Sequence, residues 1–137
     1  MIHVHIITPE ETVFDGDVES LTLPTADGEI TVMGGHVPLI SVLVPGTVIA
    51  RKGKEEWVFA VSRGVIEIDG KSMRVLADTA DRAESLEESA VEAARTTAEK
   101  LVSERRTDAE GFAEATAILE REIARLHTVR RMRARRR

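Results

Sequence analysis

Apolar and polar residues alternate from the start of the chain. Ile2, Val4 and Ile6 are separated by His3 and His5, and Val18-Glu19-Ser20-Leu21-Thr22-Leu23 repeats the pattern. Trp57-Val58-Phe59-Ala60-Val61 follows it more loosely. A period of two with β-branched residues predicts half-buried strands. Turn residues recur at short intervals: Asp15-Gly16, Asp27-Gly28, Gly34-Gly35, Pro45-Gly46, Gly53 and Asp69-Gly70. Many short strands with closely spaced turns predict an all-β sandwich or barrel. Val65-Ile66-Glu67-Ile68 and Lys71-Ser72-Met73-Arg74-Val75-Leu76 flank Asp69-Gly70. This predicts a tight hairpin in which Asp69 and Gly70 supply the positive φ angles.

After Arg82 the period changes. Residues 85–137 contain no Pro and only Gly111, and Ala, Glu and Arg dominate. Ser85-Leu86-Glu87-Glu88 and Thr107-Asp108-Ala109-Glu110 both read as capping boxes. They predict helices over 86–105 and 109–132, about 30 and 36 Å long at 1.5 Å per residue. The short polar connection predicts an antiparallel pair. Ala90, Val91, Ala94, Ala98 and Leu101 form a small-residue face on the first helix. Phe112, Ala115, Leu119, Ile123 and Leu126 give larger knobs on the second. Ala contributes little buried area, so the hairpin is expected to be only modestly stable alone. The predicted architecture is α+β, with a β domain over 1–84 and a helical hairpin over 85–137.

The 137 residues fit one domain with an appendage, and 42% apolar content is enough to bury a core. No Cys is present, which removes disulfides, thiolate nucleophiles and Cys-based metal sites. MIHVHIITP lacks the basic start and apolar run of a signal peptide, and no stretch is long enough to span a bilayer. With three Phe and one Trp, stacking platforms for single-stranded nucleic acid are not expected. Charge is unevenly distributed. Residues 1–84 carry 14 acids against 7 bases, 85–129 carry 10 against 6, and 130–137 hold six Arg and no acid. An acidic body with a basic tip predicts a partner for Arg130, Arg131, Arg133, Arg135, Arg136 and Arg137. A solvated helix end and a nucleic-acid contact are the competing readings. The acidic body argues against general nucleic-acid affinity and favours an acidic protein partner.

Few catalytic signals survive inspection. Gly70-Lys71-Ser72 looks like the end of a phosphate-binding loop, but five residues instead of four separate it from Gly64 and no helix follows Ser72. His3 and His5 share a strand face, the spacing of a two-ligand metal arm. Only His36 and His127 remain as further imidazoles and no Asp–His pairing is implied, so ordinary edge-strand residues are expected and no metal. Glu10-Glu11, Glu55-Glu56 and Glu87-Glu88 fall in turns or a helix start, and nothing assembles a nucleophile, a base and an oxyanion site. No catalytic residues and no cofactor are expected.

One signature remains. Asp27-Gly28-Glu29-Ile30-Thr31-Val32-Met33-Gly34-Gly35-His36-Val37-Pro38-Leu39, then Pro45-Gly46, Gly64-Val65-Ile66-Glu67-Ile68 and Val75-Leu76-Ala77-Asp78-Thr79-Ala80, resembles the epsilon subunit of bacterial F-type ATP synthases across the whole chain. The resemblance implies a ten-stranded β-sandwich followed by two helices, on the rotating central stalk. It implies binding of the β domain to the gamma subunit and c-ring, and coupling of ion-driven rotation to ATP synthesis. It further implies that the helices inhibit ATP hydrolysis when they extend towards the alpha and beta subunits of the catalytic head, where the Arg tail would meet acidic loops. Attachment to the cytoplasmic face of the bacterial membrane would be indirect, through the c-ring. Glu29, Gly35, His36, Pro38 and Leu39 are the carried-over contact residues for c-ring and gamma, with a solvated turn acid as the alternative for Glu29.

Three departures stand out. Gly34 replaces the usual proline before Gly-His, and Thr31 replaces a glycine after Gly-Glu-Ile. The Ile/Leu-Asp-x-x-Arg-Ala motif tied to ATP binding reads Leu86-Glu87-Glu88-Ser89-Ala90-Val91. With Glu87 longer than the expected acid and Ala90 in place of the phosphate-facing Arg, a contact of about 1.5–3 kcal/mol is lost. No tight nucleotide site is expected. A free-standing adaptor gripping acidic proteins or RNA is the alternative function, and an enzyme comes last.

Overall fold

The computed structural model describes residues 1–135. Ten strands are followed by two helices: β1 (Ile2–Ile7), β2 (Thr12–Val18), β3 (Ser20–Thr25), β4 (Gly28–Met33), β5 (Leu39–Leu43), β6 (Gly46–Lys52), β7 (Glu55–Val61), β8 (Gly64–Ile68), β9 (Ser72–Ala77), β10 (Ala80–Arg82), α1 (Glu88–Glu104) and α2 (Ala109–Arg135). This is the predicted α+β arrangement of a β-sandwich and an antiparallel helical hairpin.

The strands form one hydrogen-bonded path, β10-β7-β6-β3-β5-β8-β9-β1-β2, with β4 paired to β3. The path curls until its ends meet. Phe14 on β2 packs against Trp57 and Phe59 on β7, with centroids 5.4 and 5.7 Å apart. Arg82 at the end of β10 donates to the Val13 carbonyl at 3.0 Å. Curling brings the two ends of the path together and encloses a core of Ile2, Val4, Ile6, Leu21, Leu23, Leu43, Phe59, Ile66, Met73 and Val75. Alternation survives in β1, whose Ile2, Val4 and Ile6 point inwards.

β6 and β7 lose the alternation for a physical reason. Val48, Ala50 and Phe59 enter the sandwich core, while Thr47, Ile49 and Ala60 are buried outside it. The registers Thr47↔Ala60 and Ile49↔Val58 put those outer residues on one face, and α2 packs on these two strands. A strand covered on both sides reads as an apolar run.

Local details differ from the sequence expectations. The β8–β9 turn is shifted by one residue: Asp69 donates its N–H to the Ser72 carbonyl at 3.1 Å, leaving Gly70-Lys71 as the two central residues. Only Gly70 has positive φ there, +97°. Asp69 instead accepts from the Lys71 and Ser72 amides at 3.0 and 2.7 Å, so its carboxylate pins the turn. Those hydrogen bonds, from Ser72 first and then Lys71, hold its pKa below the usual carboxylate value.

α1 begins two residues later than predicted. Ser85 belongs to a single 3₁₀ turn (Ala83–Ser85) and its hydroxyl donates back to the Arg82 carbonyl at 2.7 Å, so the capping box does not form. At the start of α2 it is Asp108 whose carbonyl accepts from Phe112, at 2.7 Å. The helices are antiparallel, since Arg130 near the end of α2 meets Glu88 at the start of α1. Val91, Ala98, Ala115 and Leu126 are buried as expected, whereas Ala90, Phe112 and Ile123 are exposed. α2 has two partners, α1 and the sheet, so its buried set also includes Glu122, Ala124, Thr128 and Val129. One helical stripe could not describe both contacts.

Candidate interaction surfaces

The outer face of β5 and β8 is apolar and uncovered. Val37 and Ile40 are 74% and 75% exposed, and Met33, Leu39, Val42 and Val65 are exposed too. Val42 pairs with Val65, and Ile40 lies two residues from Val42 on the same face. A contiguous exposed apolar patch of this kind is a candidate docking surface.

Gly34 to Pro38 form the loop between β4 and β5, seated on the β8–β9 turn. Gly35 N–H donates to the Gly70 carbonyl at 3.0 Å, and His36 Nδ1 donates to the Val37 carbonyl at 2.7 Å. Pro38 and Leu39 then lead into β5 beside the apolar face. The glycine at position 34 has a local cause: a Cβ there would sit 2.8 Å from the Met1 carbonyl oxygen. Glu29 is not brought together with this loop. It lies on β4 opposite Pro24, four residues or about 13 Å from Met33 at the other end of the strand.

Glu29 instead meets the helical hairpin. Arg131 Nη1 donates to Glu29 Oε2 at 3.2 Å. Arg130 reaches Glu88 and Glu92 at 3.1 and 3.7 Å, and Arg133 also binds Glu88. Arg130 first, then Arg133, holds the Glu88 carboxyl below its usual pKa. α2 is described as far as Arg135, and Arg136 and Arg137 lie outside the described residues. Further along α2, Arg63 makes a two-pronged contact with Glu120 at 2.8 and 2.6 Å. Arg125 bridges Asp81 and the buried Glu122, at 2.8 Å each. Thr47 and Thr128 share a buried hydrogen bond. Much of the link between α2 and the sandwich is therefore polar and charge-paired.

The degenerate nucleotide motif occupies the start of α1. Glu87 precedes the first helical residue, accepting from Ser89 Oγ at 3.1 Å, and Ala90 points to solvent. The nearest cations of the adjoining groove, Arg95, Arg130 and Arg131, are each paired with a carboxylate.

Sequence reasoning missed the pairing of His3 and His5 with acids. Register places Asp17 opposite His3 and Asp15 opposite His5. His3 Nδ1 lies 2.6 Å from Asp17 and His3 Nε2 2.6 Å from Asp15, so its pKa is raised, by Asp17 first and then Asp15. Only the strand register, invisible to composition, could have revealed this. Among the described residues no helix is long and apolar enough to cross a membrane.

Residues 1–83 match the family described as ATP synthase, Delta/Epsilon chain, beta-sandwich domain. The chain is 36% identical over 135 residues to an ATP synthase epsilon chain of Teredinibacter turnerae, covering 98% of this chain and 96% of that one. It is 38% identical over 132 residues to an ATP synthase epsilon chain of Acinetobacter baumannii, covering 95% and 94% respectively. The fold is similar to a chain in the mitochondrial ATP synthase of Euglena gracilis, OSCP/F1/c-ring in rotational state 1, with a TM-score of 0.73. That match has 17% identity and covers 99% of this chain and 81% of the other.

Proposed function

The chain belongs to the family of ATP synthase epsilon chains, and from that membership we propose that it is a non-catalytic subunit of the enzyme's central stalk. In this reading residues 1–84 bind the gamma subunit and the c-ring and help couple ion-driven rotation to ATP synthesis. Residues 85–137 regulate the reverse reaction. The subunit is held at the cytoplasmic face of the bacterial membrane by docking alone.

The observation that carries the assembly role is the uncovered apolar face of Ile40, Val42 and Val65 beside the Gly34–Pro38 loop. A gamma or c-ring surface would bury it. His36, Pro38 and Leu39 flank that face, whereas Glu29 is occupied by Arg131 while the hairpin is docked. A c-ring contact through Glu29 therefore competes with the docked helix.

The polar character of the docking contacts supports the regulatory role. Undocking α2 exchanges exposed ion pairs for water at modest cost each, and the apolar surface it uncovers is a short patch around Ile49, Ala60 and Val129. Undocking frees Arg131 from Glu29, and separation of α2 from α1 frees Arg130 and Arg133 from Glu88, so that all three become available to acidic loops of the catalytic head.

The test is to tag the chain at native expression level and identify what co-purifies from nuclease-treated, detergent-solubilised membranes. Gamma, alpha, beta and c subunits in fixed proportion are expected, and Ile40→Lys is expected to deplete them. Recovery of no ATPase subunit would sink the assembly reading. For the tail, hydrolysis inhibition that persists unchanged at low and high salt after deletion of 130–137 would remove it from the brake.

A further inference from the structure

The outward face of the sandwich carries a row of residues that crosses five strands in register: Ile40, Glu67, Arg74, His5 and Asp15. Its apolar end belongs to the docking surface. Its other end is different chemistry. His3 and His5 project from the same side of β1, with ring centroids 4.7 Å apart. Asp15 Oδ1 lies 2.6 Å from His3 Nε2 and 3.2 Å from His5 Nε2. One ligand atom from each of the three residues falls within 4.8 Å of the others.

From this convergence we propose that His3, His5 and Asp15 form a binding site for a divalent transition-metal ion of the Zn²⁺ class. Two imidazoles and a carboxylate are a ligand set such ions accept, and three protein ligands leave one position for water. Bonds of about 2.0–2.2 Å to a tetrahedral ion place donors about 3.3 Å apart. The two His–Asp15 separations, 2.6 and 3.2 Å, lie inside or at that value, and the imidazole donors lie within 4.8 Å of each other, so side-chain torsions that open the first contact can admit the ion. The backbone need not move, because both strands are locked by the β1–β2 ladder.

Asp17 completes the arrangement. Its carboxylate lies 2.6 Å from His3 Nδ1, on the side of the ring facing away from Asp15. A carboxylate accepting the Nδ1 proton fixes the tautomer and leaves Nε2 free to ligate, as metal-bound histidines require. Ion binding releases the proton shared between His3 Nε2 and Asp15 and substitutes the cation for it. Asp17 is a positioning residue and does not touch the ion. The site lies on the full chain and does not depend on the central-stalk reading.

The full-length chain, untagged and stripped with a chelator, should be titrated with Zn²⁺ by calorimetry and with Co²⁺ by visible absorption. One ion per chain is expected, with a Co²⁺ spectrum of low coordination number. Asp17→Asn is expected to weaken binding 10–100-fold, the usual loss for an outer carboxylate. His3→Ala/His5→Ala is expected to abolish it, while His36→Ala and His127→Ala leave it unchanged. In the unmutated chain, Zn²⁺ should shift the ring proton resonances of His3 and His5 before any others. No binding by the native chain overturns the proposal, as does binding that survives in the double variant or requires His36 or His127.

Discussion

Thr47 on β6 and Thr128 on α2, 81 positions apart in sequence, share a buried hydrogen bond of 2.7 Å between their hydroxyls. The bond pins α2 to the sandwich at a place where both residues are buried. Thr128→Val keeps the shape but strands the Thr47 hydroxyl, at an expected cost of about 1–3 kcal/mol. Thr47→Val/Thr128→Val should recover most of that loss, because no unpaired donor is left. Urea unfolding of the two single variants and the double variant measures the difference. Additive losses would mean that the hydroxyls do not depend on each other.

Glu122 is only 3% exposed, yet its carboxylate is flanked by Arg121 and Arg125. Arg125→Met removes the cation shared with Asp81. Breaking a buried pair costs about 3–5 kcal/mol, and the remaining Arg121 contact should hold the loss nearer the lower bound. Hydrogen exchange is expected to quicken along α2 before it does in β1 or β9. Adding Glu122→Gln should restore part of the protection. Uniform exchange across the chain would contradict local undocking.

Glu88 makes closure of the hairpin sensitive to acid. Its carboxyl pKa is lowered in the folded state by Arg130 first and then Arg133, so the contribution is present above the unfolded value of 4.5. It is lost as pH falls from there through the lower folded value. Hairpin closure should therefore weaken below about pH 4.5 and in high salt, and Glu88→Gln should remove that part of the pH dependence. Fluorescence transfer between labels on α1 and α2, followed through acid titration, reads it directly. An identical acid profile in Glu88→Gln would rule the contact out as the cause.

Ala90 faces solvent where the nucleotide motif carries Arg, and Arg95, Arg130 and Arg131 are paired with acids. Calorimetric titration with ATP should detect no micromolar site in the purified chain. Ala90→Arg restores one phosphate-seeking cation and should increase affinity measurably. Micromolar binding without that change would overturn the expectation.

Much of the architecture is written in local pattern. Alternation through Ile2, Val4 and Ile6 marks β1, and the Ala- and Glu-rich stretch after Arg82 marks the helices, because periods of two and 3.6 each leave one face to bury. The Asp27–Leu39 signature, taken together with Pro45-Gly46, Gly64-Val65-Ile66-Glu67-Ile68 and Val75-Leu76-Ala77-Asp78-Thr79-Ala80, points to the family. Turn chemistry was legible to within a residue: Asp69-Gly70 marked the β8–β9 turn, but the side-chain bonds of Asp69 moved its centre to Gly70-Lys71.

The remaining features depend on what lies across the fold. Phe112 and Ile123 are on the solvent side because α2 must satisfy a sheet and a helix at once. Asp15 and Asp17 meet His5 and His3 only through antiparallel register, in which a one-residue slip would send them to the other face. Arg131 finds Glu29 across 102 positions of sequence. Which segments become strands and helices follows from neighbours along the chain, so local pattern suffices for it. Which charges pair and which apolar face stays open depends on residues brought together only when the sheet curls and the hairpin docks.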